Sequence, residues 1–206
     1  MNIRIWIWCV TAFLIFAVNA GATTLDGDCS IRFFGQSTLH DFEGQVACQP
    51  FSVQTEENQV GHKVVQSPVV TVHVSEMNTD NASRDKKMWA MFDQEHFPVI
   101  KGQFVELDPE LALEQLAASD NSEASLALDL QIRGVSQRIV AKAREVKISP
   151  EQIGMIIEFP LSLASFDLEP PSVMGIIRVA DEVKVEVQTT LHRRITPAVS
   201  ASVKEK

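Results

Sequence analysis

Along most of the chain apolar and polar residues alternate with a period of two, as expected for strands that are wet on one side and dry on the other. The clearest run sets Val183, Val185, Val187, Thr189 and Leu191 against Lys184, Glu186, Gln188 and Thr190. A second places Leu126, Leu128, Leu130 and Ile132 on one face and Asp129, Gln131 and Arg133 on the other. It turns at Gly134 into Ile139, Ala141 and Ala143, which alternate with Arg138, Lys142 and Arg144. Ile153, Met155, Ile157 and Phe159 continue the pattern, and Val70 with Val72 gives a shorter example. Small inward residues facing large ones leave either a tapering packed core or a cavity, and periodicity does not choose between them.

Residues 76–104 break this rhythm and predict one short helix, over about 82–93, inside a strand-rich protein. Asn81 or Ser83 can cap it by accepting a hydrogen bond from an orphan N–H, and Asp85 suits its positive end. Met88, Met91 and Phe92 then share a face that needs apolar cover, with Trp89 beside them. Pro98 ends any helix, and the following strand carries Ile100 and Phe104 on one side with Gly102 between them leaving room. A helix laid across or beside the mouth of a β-barrel satisfies this arrangement. Residues 108–122, with Leu111, Leu113, Leu116 and Ala117 after Pro109, suit one or two helical turns inserted between neighbouring strands.

The N-terminus is a separate object. Arg4 supplies a positive start, residues 5–18 are an apolar run, and Ala20-Gly21-Ala22 resembles a small-residue cleavage site. The run is shorter than the roughly 20 residues a spanning helix needs. The expected organisation is a signal peptide over 1–22, one barrel domain over 23–195 and a flexible tail over 196–206, with no stable membrane span after cleavage and a periplasmic or secreted location. The formal charge of -9 and the scattered lysines and arginines provide no phosphate-neutralising patch, which excludes nucleic-acid binding as an expectation.

Of three cysteines, Cys9 leaves with the signal, so Cys29 and Cys48 remain in a compartment where disulfides persist. If residues 30–35 and 42–47 form a hairpin centred on Thr38-Leu39, the two cysteines stand opposite each other and staple its open end. Closing that loop contributes about 3 kcal/mol in the chain-entropy model.

Positive signs of catalysis are missing. The histidines, His40, His62, His73, His96 and His192, show no metal-site spacing, and His96 and His192 suit a helix exit and a strand end. Gly35-Gln36-Ser37-Thr38-Leu39 lacks the second glycine of a nucleophile elbow, and the isolated glycines form no phosphate loop. The expectation is therefore no catalytic residue, no metal and no cofactor. Arg84-Asp85, beside the apolar helix face, could tie the helix to the barrel rim or touch a polar head group.

Four blocks together resemble the YceI-like family, the lipocalin-like periplasmic and secreted proteins implicated in binding polyisoprenoids. They are residues 33–46 with His40 and Phe42-x-Gly44; the block from Ser75-x-Met77-x-Thr79 through Arg84-Asp85 to Phe97-Pro98; Leu130-x-Ile132-Arg133-Gly134-Val135; and Gly175-Ile176-Ile177 through Asp181-Glu182-Val183. The resemblance implies an all-β fold, an extended eight-stranded antiparallel barrel with a long apolar lumen for an isoprenoid or similar chain. The chain departs from the family in its longer 108–122 segment, its lack of tyrosine and its Cys29 and Cys48 pair.

Strand alternation and the helix face place Phe33, Val72, Met88, Met91, Phe92, Phe104, Leu128, Leu130, Ile157, Val185 and Val187 in that lumen, with Arg84 and Asp85 at a head-group or rim position. The expected function is non-enzymatic binding of a long-chain amphiphile such as a polyisoprenoid, an isoprenoid quinone or a fatty-acid-like lipid. A filled barrel acting as an interaction or stress-protective module is the alternative, and a lipid hydrolase a more distant one. A homodimer is compatible with all of these.

Overall fold

The alternating segments become long strands that pair antiparallel throughout. In this computed structural model, which describes residues 23–57, 63–66, 68–105, 123–170, 172–173 and 177–194, they are β1 (Thr23–Ser37), β2 (Phe42–Ala47), β3 (Phe51–Glu57), β4 (Lys63–Gln66), β5 (Val69–His73), β6 (Val99–Val105), β7 (Ala124–Ile132), β8 (Val135–Ile148), β9 (Gln152–Ser162), β10 (Ser172–Val173) and β11 (Ile177–Arg193). One helix, α1 (Ala82–Met91), lies between β5 and β6. The expected signal peptide, the C-terminal tail and the 108–122 insertion lie outside the described residues.

Hydrogen-bonded neighbours follow the order β4-β3-β1-β11-β9-β8-β7-β6-β5, with β2 beside β1 and β10 beside β11. β2 and β3 lie end to end along the same edge of β1, and β4 and β5 in turn pair with β3 and β6. Counting each such pair as one interrupted strand, the sheet is a nearly closed eight-stranded barrel. Its seam, between β2 and the segment containing β5, is thin. Gln45 and Asn78 exchange two backbone hydrogen bonds of 2.8 and 2.9 Å, and Gln49 N–H donates to Thr71 O at 2.8 Å.

The first hairpin has the register that its cysteines require. Ser30 opposes Ala47 and Gly35 opposes Phe42, Cys48 N–H donates to Cys29 O at 3.0 Å, and Cys29 and Cys48 form a disulfide with Cα atoms 5.4 Å apart. Phe33 stands opposite Gly44, and its ring lies where any larger residue at 44 would place its Cβ. At the β7–β8 turn Arg133 and Gly134 both take left-handed conformations, φ 48° and 78°, so Ile132 and Val135 close a two-residue hairpin.

β8 departs from simple alternation. Ala141 and Ala143 are buried, but the pairing with β9 shifts between Arg144 and Lys147, where Glu145 has φ 52°. This bulge reverses the parity, so Val146 and Ile148 follow Ala143 along the inner wall. On the outer wall charged residues join the strands laterally. Arg144 Nη2 donates to Glu158 at 2.8 Å and to Glu186 at 3.0 Å, Lys184 Nζ lies 2.7 Å from Glu158, and Arg32 bonds Glu43 at 2.9 Å. Hydrogen bonds from Arg144 and then Lys184 hold the Glu158 pKa down to about 2.

Candidate ligand-binding lumen

α1 begins where the sequence predicts. The Asn81 side chain accepts from Ser83 N–H at 3.1 Å and Arg84 N–H at 3.0 Å, satisfying two of the helix's orphan donors. The helix is two residues shorter than expected at its C-terminal end. Phe92 caps it, and Asp93 at φ 51° turns the chain out toward the strand. His96 is the exposed exit residue, and its Nδ1 lies 2.8 Å from Asp93 Oδ1, a contact that raises its pKa.

Because β5 enters and β6 leaves at the same end of the barrel, α1 lies across that end. Met88 and Phe92 are buried there. The four most completely enclosed large side chains, Phe166, Ile132, Leu168 and Val74, belong to the strand ends and turns around it. Trp89 is not part of the cavity wall: its indole N–H donates to Met77 O at 3.0 Å and anchors the helix to the preceding segment. Arg133 reinforces the other side of the same closure through Asp167 O at 3.2 Å.

Arg84 and Asp85 do not project a polar pair into the lumen. Both meet Thr79. Thr79 N–H donates to Asp85 Oδ1 at 2.9 Å, its hydroxyl donates to the same oxygen, and Arg84 Nε and Nη2 donate to Thr79 Oγ1 and O at 2.8 and 2.6 Å. Asp85 is buried in this knot and is not part of the cavity wall. Arg84 borders the cavity, with its guanidinium 5.0 Å from the Phe42 ring centroid. The pair thus ties the helix start to the barrel, one of the two roles its sequence allowed.

Inside the barrel is a cavity of about 470 Å³. Every residue expected in the lumen from alternation and the helix face lines it: Phe33, Val72, Met88, Met91, Phe92, Phe104, Leu128, Leu130, Ile157, Val185 and Val187. Among the described lining residues only Arg84, Gln103 and Thr189 have polar side chains, and the surface presented to the cavity is almost wholly apolar. Among the described residues the wall is wettest at the end away from α1, where Ile148 lines the cavity while remaining 60% exposed and Val146, Ile153 and Leu191 are half-buried.

Several wall residues escape the sequence pattern. Val146 and Ile148 lie beyond the β8 bulge; the step from apolar 139, 141 and 143 to apolar 146 and 148 is the signal that points to them. Cys29, expected as a staple, also lines the cavity. Gly102 leaves the room its position suggests, since a Cβ added there meets nothing closer than Leu130 Cδ1 at 3.8 Å.

The described wall suits a non-polar chain. Among the described residues no group of three or more His, Cys, Asp or Glu could hold a metal, and no helix is long and apolar enough to cross a membrane.

Comparison with known proteins agrees with this architecture. The family model for the YceI-like domain matches residues 17–191. Among solved structures, BcnA of Burkholderia cenocepacia superposes with a TM-score of 0.59 at 15% identity, over 79% of this chain and 95% of that one. A polyisoprenoid binding domain from Saccharophagus degradans, implicated in plant cell wall breakdown, gives 0.57 at 13% identity over 84% and 98%. The YceI protein of Campylobacter jejuni gives 0.51 at 16% over 74% and 85%. At these identities the structural likeness speaks for the fold. No curated protein matches the chain.

Proposed function

The chain belongs to the YceI-like family, and from that premise we propose that it binds a long-chain amphiphile non-covalently in its lumen and shields the chain from water without altering it. The observation that carries this reading is the roughly 470 Å³ apolar cavity inside the barrel, closed by α1 at one end and lined at the other by partly exposed described residues. A cavity of this size falls within the usual range of ligand sites. The similarly folded polyisoprenoid binding domain from Saccharophagus degradans supports a lipid-like ligand of the same general class.

The driving force is burial. At about 25 cal/mol per Å² of apolar surface, covering about 400 Å² of tail supplies on the order of 10 kcal/mol, which leaves micromolar or better affinity after the costs of association. Flexible Met88 and Met91 in the wall adapt to an irregular chain. An open cavity favours this carrier over a filled interaction barrel, because a filled barrel would pack its interior to crystal-like density.

In this reading residues 1–22 are a cleaved signal peptide, the protein works in the periplasm or outside the cell, and no residue is catalytic. Native mass spectrometry of the protein purified from its own cell envelope, followed by organic extraction, tests it. Release of a stoichiometric isoprenoid or acyl amphiphile is the expected result; a clean unliganded mass that also refuses added lipids would overturn the carrier reading.

A further inference from the structure

We propose that the thin seam between β2 and the segment containing β5 is a lateral gate, through which an apolar chain passes sideways between solvent and lumen. The inference rests on the carrier reading above and goes beyond it by assigning the route and the parts that move.

Elsewhere the wall is joined by continuous ladders. β1 pairs with β11 from Leu25 to Gly35, β11 with β9 from Glu182 to His192, and β7 with β8 along the whole of β7. Parting any of these breaks many backbone hydrogen bonds at once. Among the described residues the seam has three: the two between Gln45 and Asn78, and the one from Gln49 N–H to Thr71 O.

The sequence accounts for this scarcity. Pro50, which has no N–H to give, stands between β2 and β3. On the facing side β5 ends at His73, and the chain turns into a short 3-10 helix over Val74–Glu76. Extended backbone meets β2 again at Asn78, as an isolated bridge to Gln45 rather than as a ladder.

Each margin of the seam is fixed to a different body. β2 is paired along its other edge to β1, from Ser30 opposite Ala47 to Gly35 opposite Phe42, and the Cys29–Cys48 disulfide locks it there. The facing segment belongs to α1, since Met77 O accepts from the Trp89 indole and Thr79 is bound by both Arg84 and Asp85. Across the seam Arg84 lies over the Phe42 ring, and Gly44 has no side chain to interlock with the nearby Thr79. The weak line therefore runs between two firm margins.

The lumen lies directly behind that line. Val46 of β2, with Val72 and Met77 of the facing segment, is buried and lines the cavity. Gln45 and Asn78 are exposed and stand outside the cavity wall. Opening the seam creates an apolar slot with a polar lip, and a chain laid along it stays against apolar side chains throughout its entry. Met77, unbranched and flexible, adapts to its passage. Three hydrogen bonds of small net value are a modest barrier beside global unfolding, so the seam opens locally while the rest of the barrel stays paired.

The test closes the seam covalently. Gln45 and Asn78 exchange both backbone hydrogen bonds, a pairing that sets Cα atoms about 5.5 Å apart, within disulfide reach, so Gln45→Cys with Asn78→Cys can be oxidised to a cross-link. The probe is the fluorescent fatty acid cis-parinaric acid, with association and dissociation followed by stopped flow. Compared with the same variant carrying its two new thiols alkylated, the cross-link should slow both rates at least about tenfold and leave Kd unchanged. Peptide mapping verifies that Cys29–Cys48 is intact. Gln45→Pro removes a seam donor and no β1 ladder bond, and should quicken both rates about fivefold, again at constant Kd. Thermal melts verify folding, and because the two shifts are opposite, either variant suffices if the other fails to fold. Without ligand, the amides of Gln45, Gln49 and Asn78 should exchange faster than those of the β1–β11 ladder. Seam amides as protected as that ladder, or rates that no folded variant moves, would overturn the gate while the carrier stands. A parent protein that binds neither cis-parinaric acid nor a polyprenol removes the carrier reading, and the gate with it.

Discussion

The two ends of this barrel are built on opposite principles. At the α1 end Phe166, Ile132, Leu168 and Val74 are almost completely enclosed, and the polar groups of Asn81, Thr79, Arg84, Asp85 and Trp89 bond one another or the backbone. At the far end Ile148, Val146, Ile153 and Leu191 line the same cavity but stay partly wet. One end is closely packed, and among the described residues the other stays wetter. A binding protein with a permanent cavity has given up dispersion contacts along its lumen, so tight packing must be concentrated elsewhere.

Substitutions that break this contrast should have sharply graded effects. Phe166→Ala, which hollows the packed end, should have the largest effect, a loss of about 3–5 kcal/mol in denaturant unfolding. Replacing both Cys29 and Cys48 with serine should cost about 3 kcal/mol, because the bridge limits the unfolded chain and clamps the hairpin beside the thin seam. Asp85→Ala removes the acceptor of two Thr79 bonds and should cost about 2 kcal/mol, with α1 showing the fastest amide exchange gain.

The outer wall tests a region belonging to neither end. The Glu158 pKa is depressed from its ordinary value of 4.5 to about 2, so its pairing with Arg144 and Lys184 stabilises the barrel above pH 4.5 and is lost as the pH falls through about 2. Melting temperatures of Glu158→Gln should show a correspondingly shallower decline over that interval. At the mouth, Ile148→Ala should alter stability by no more than about 0.5 kcal/mol, yet speed release of a bound chain. A large stability loss at Ile148 would show that the mouth is packed after all and erase the contrast between the ends.

Much of the wall is legible in the sequence because a strand's period of two is a local property. Val185, Val187, Leu128 and Leu130 face inward as their spacing requires, and the register that places Cys29 opposite Cys48 follows from the hairpin alone. The Asn81 cap is legible for the same reason: an Asn before a helical run satisfies donors two and three residues on. Where the pattern falls short, residues distant in sequence or an irregular backbone intervene. Glu145 inserts an extra residue into β8 and turns Val146 and Ile148 inward, and of the two roles open to Arg84 and Asp85 it is the bonds to Thr79, five and six residues away, that tie them to the scaffold.

Local pattern thus specifies which face of each strand is apolar, where the helix starts and which cysteines pair, and four motif blocks add the resemblance to a barrel family. It takes the assembled barrel to leave an open lumen between those apolar faces, to lay α1 across one end of it, and to commit the polar residues of the helix start to the scaffold. Alternation is dictated by backbone geometry one residue at a time, whereas a void exists only where side chains from many strands fail to meet, and no single segment carries that information.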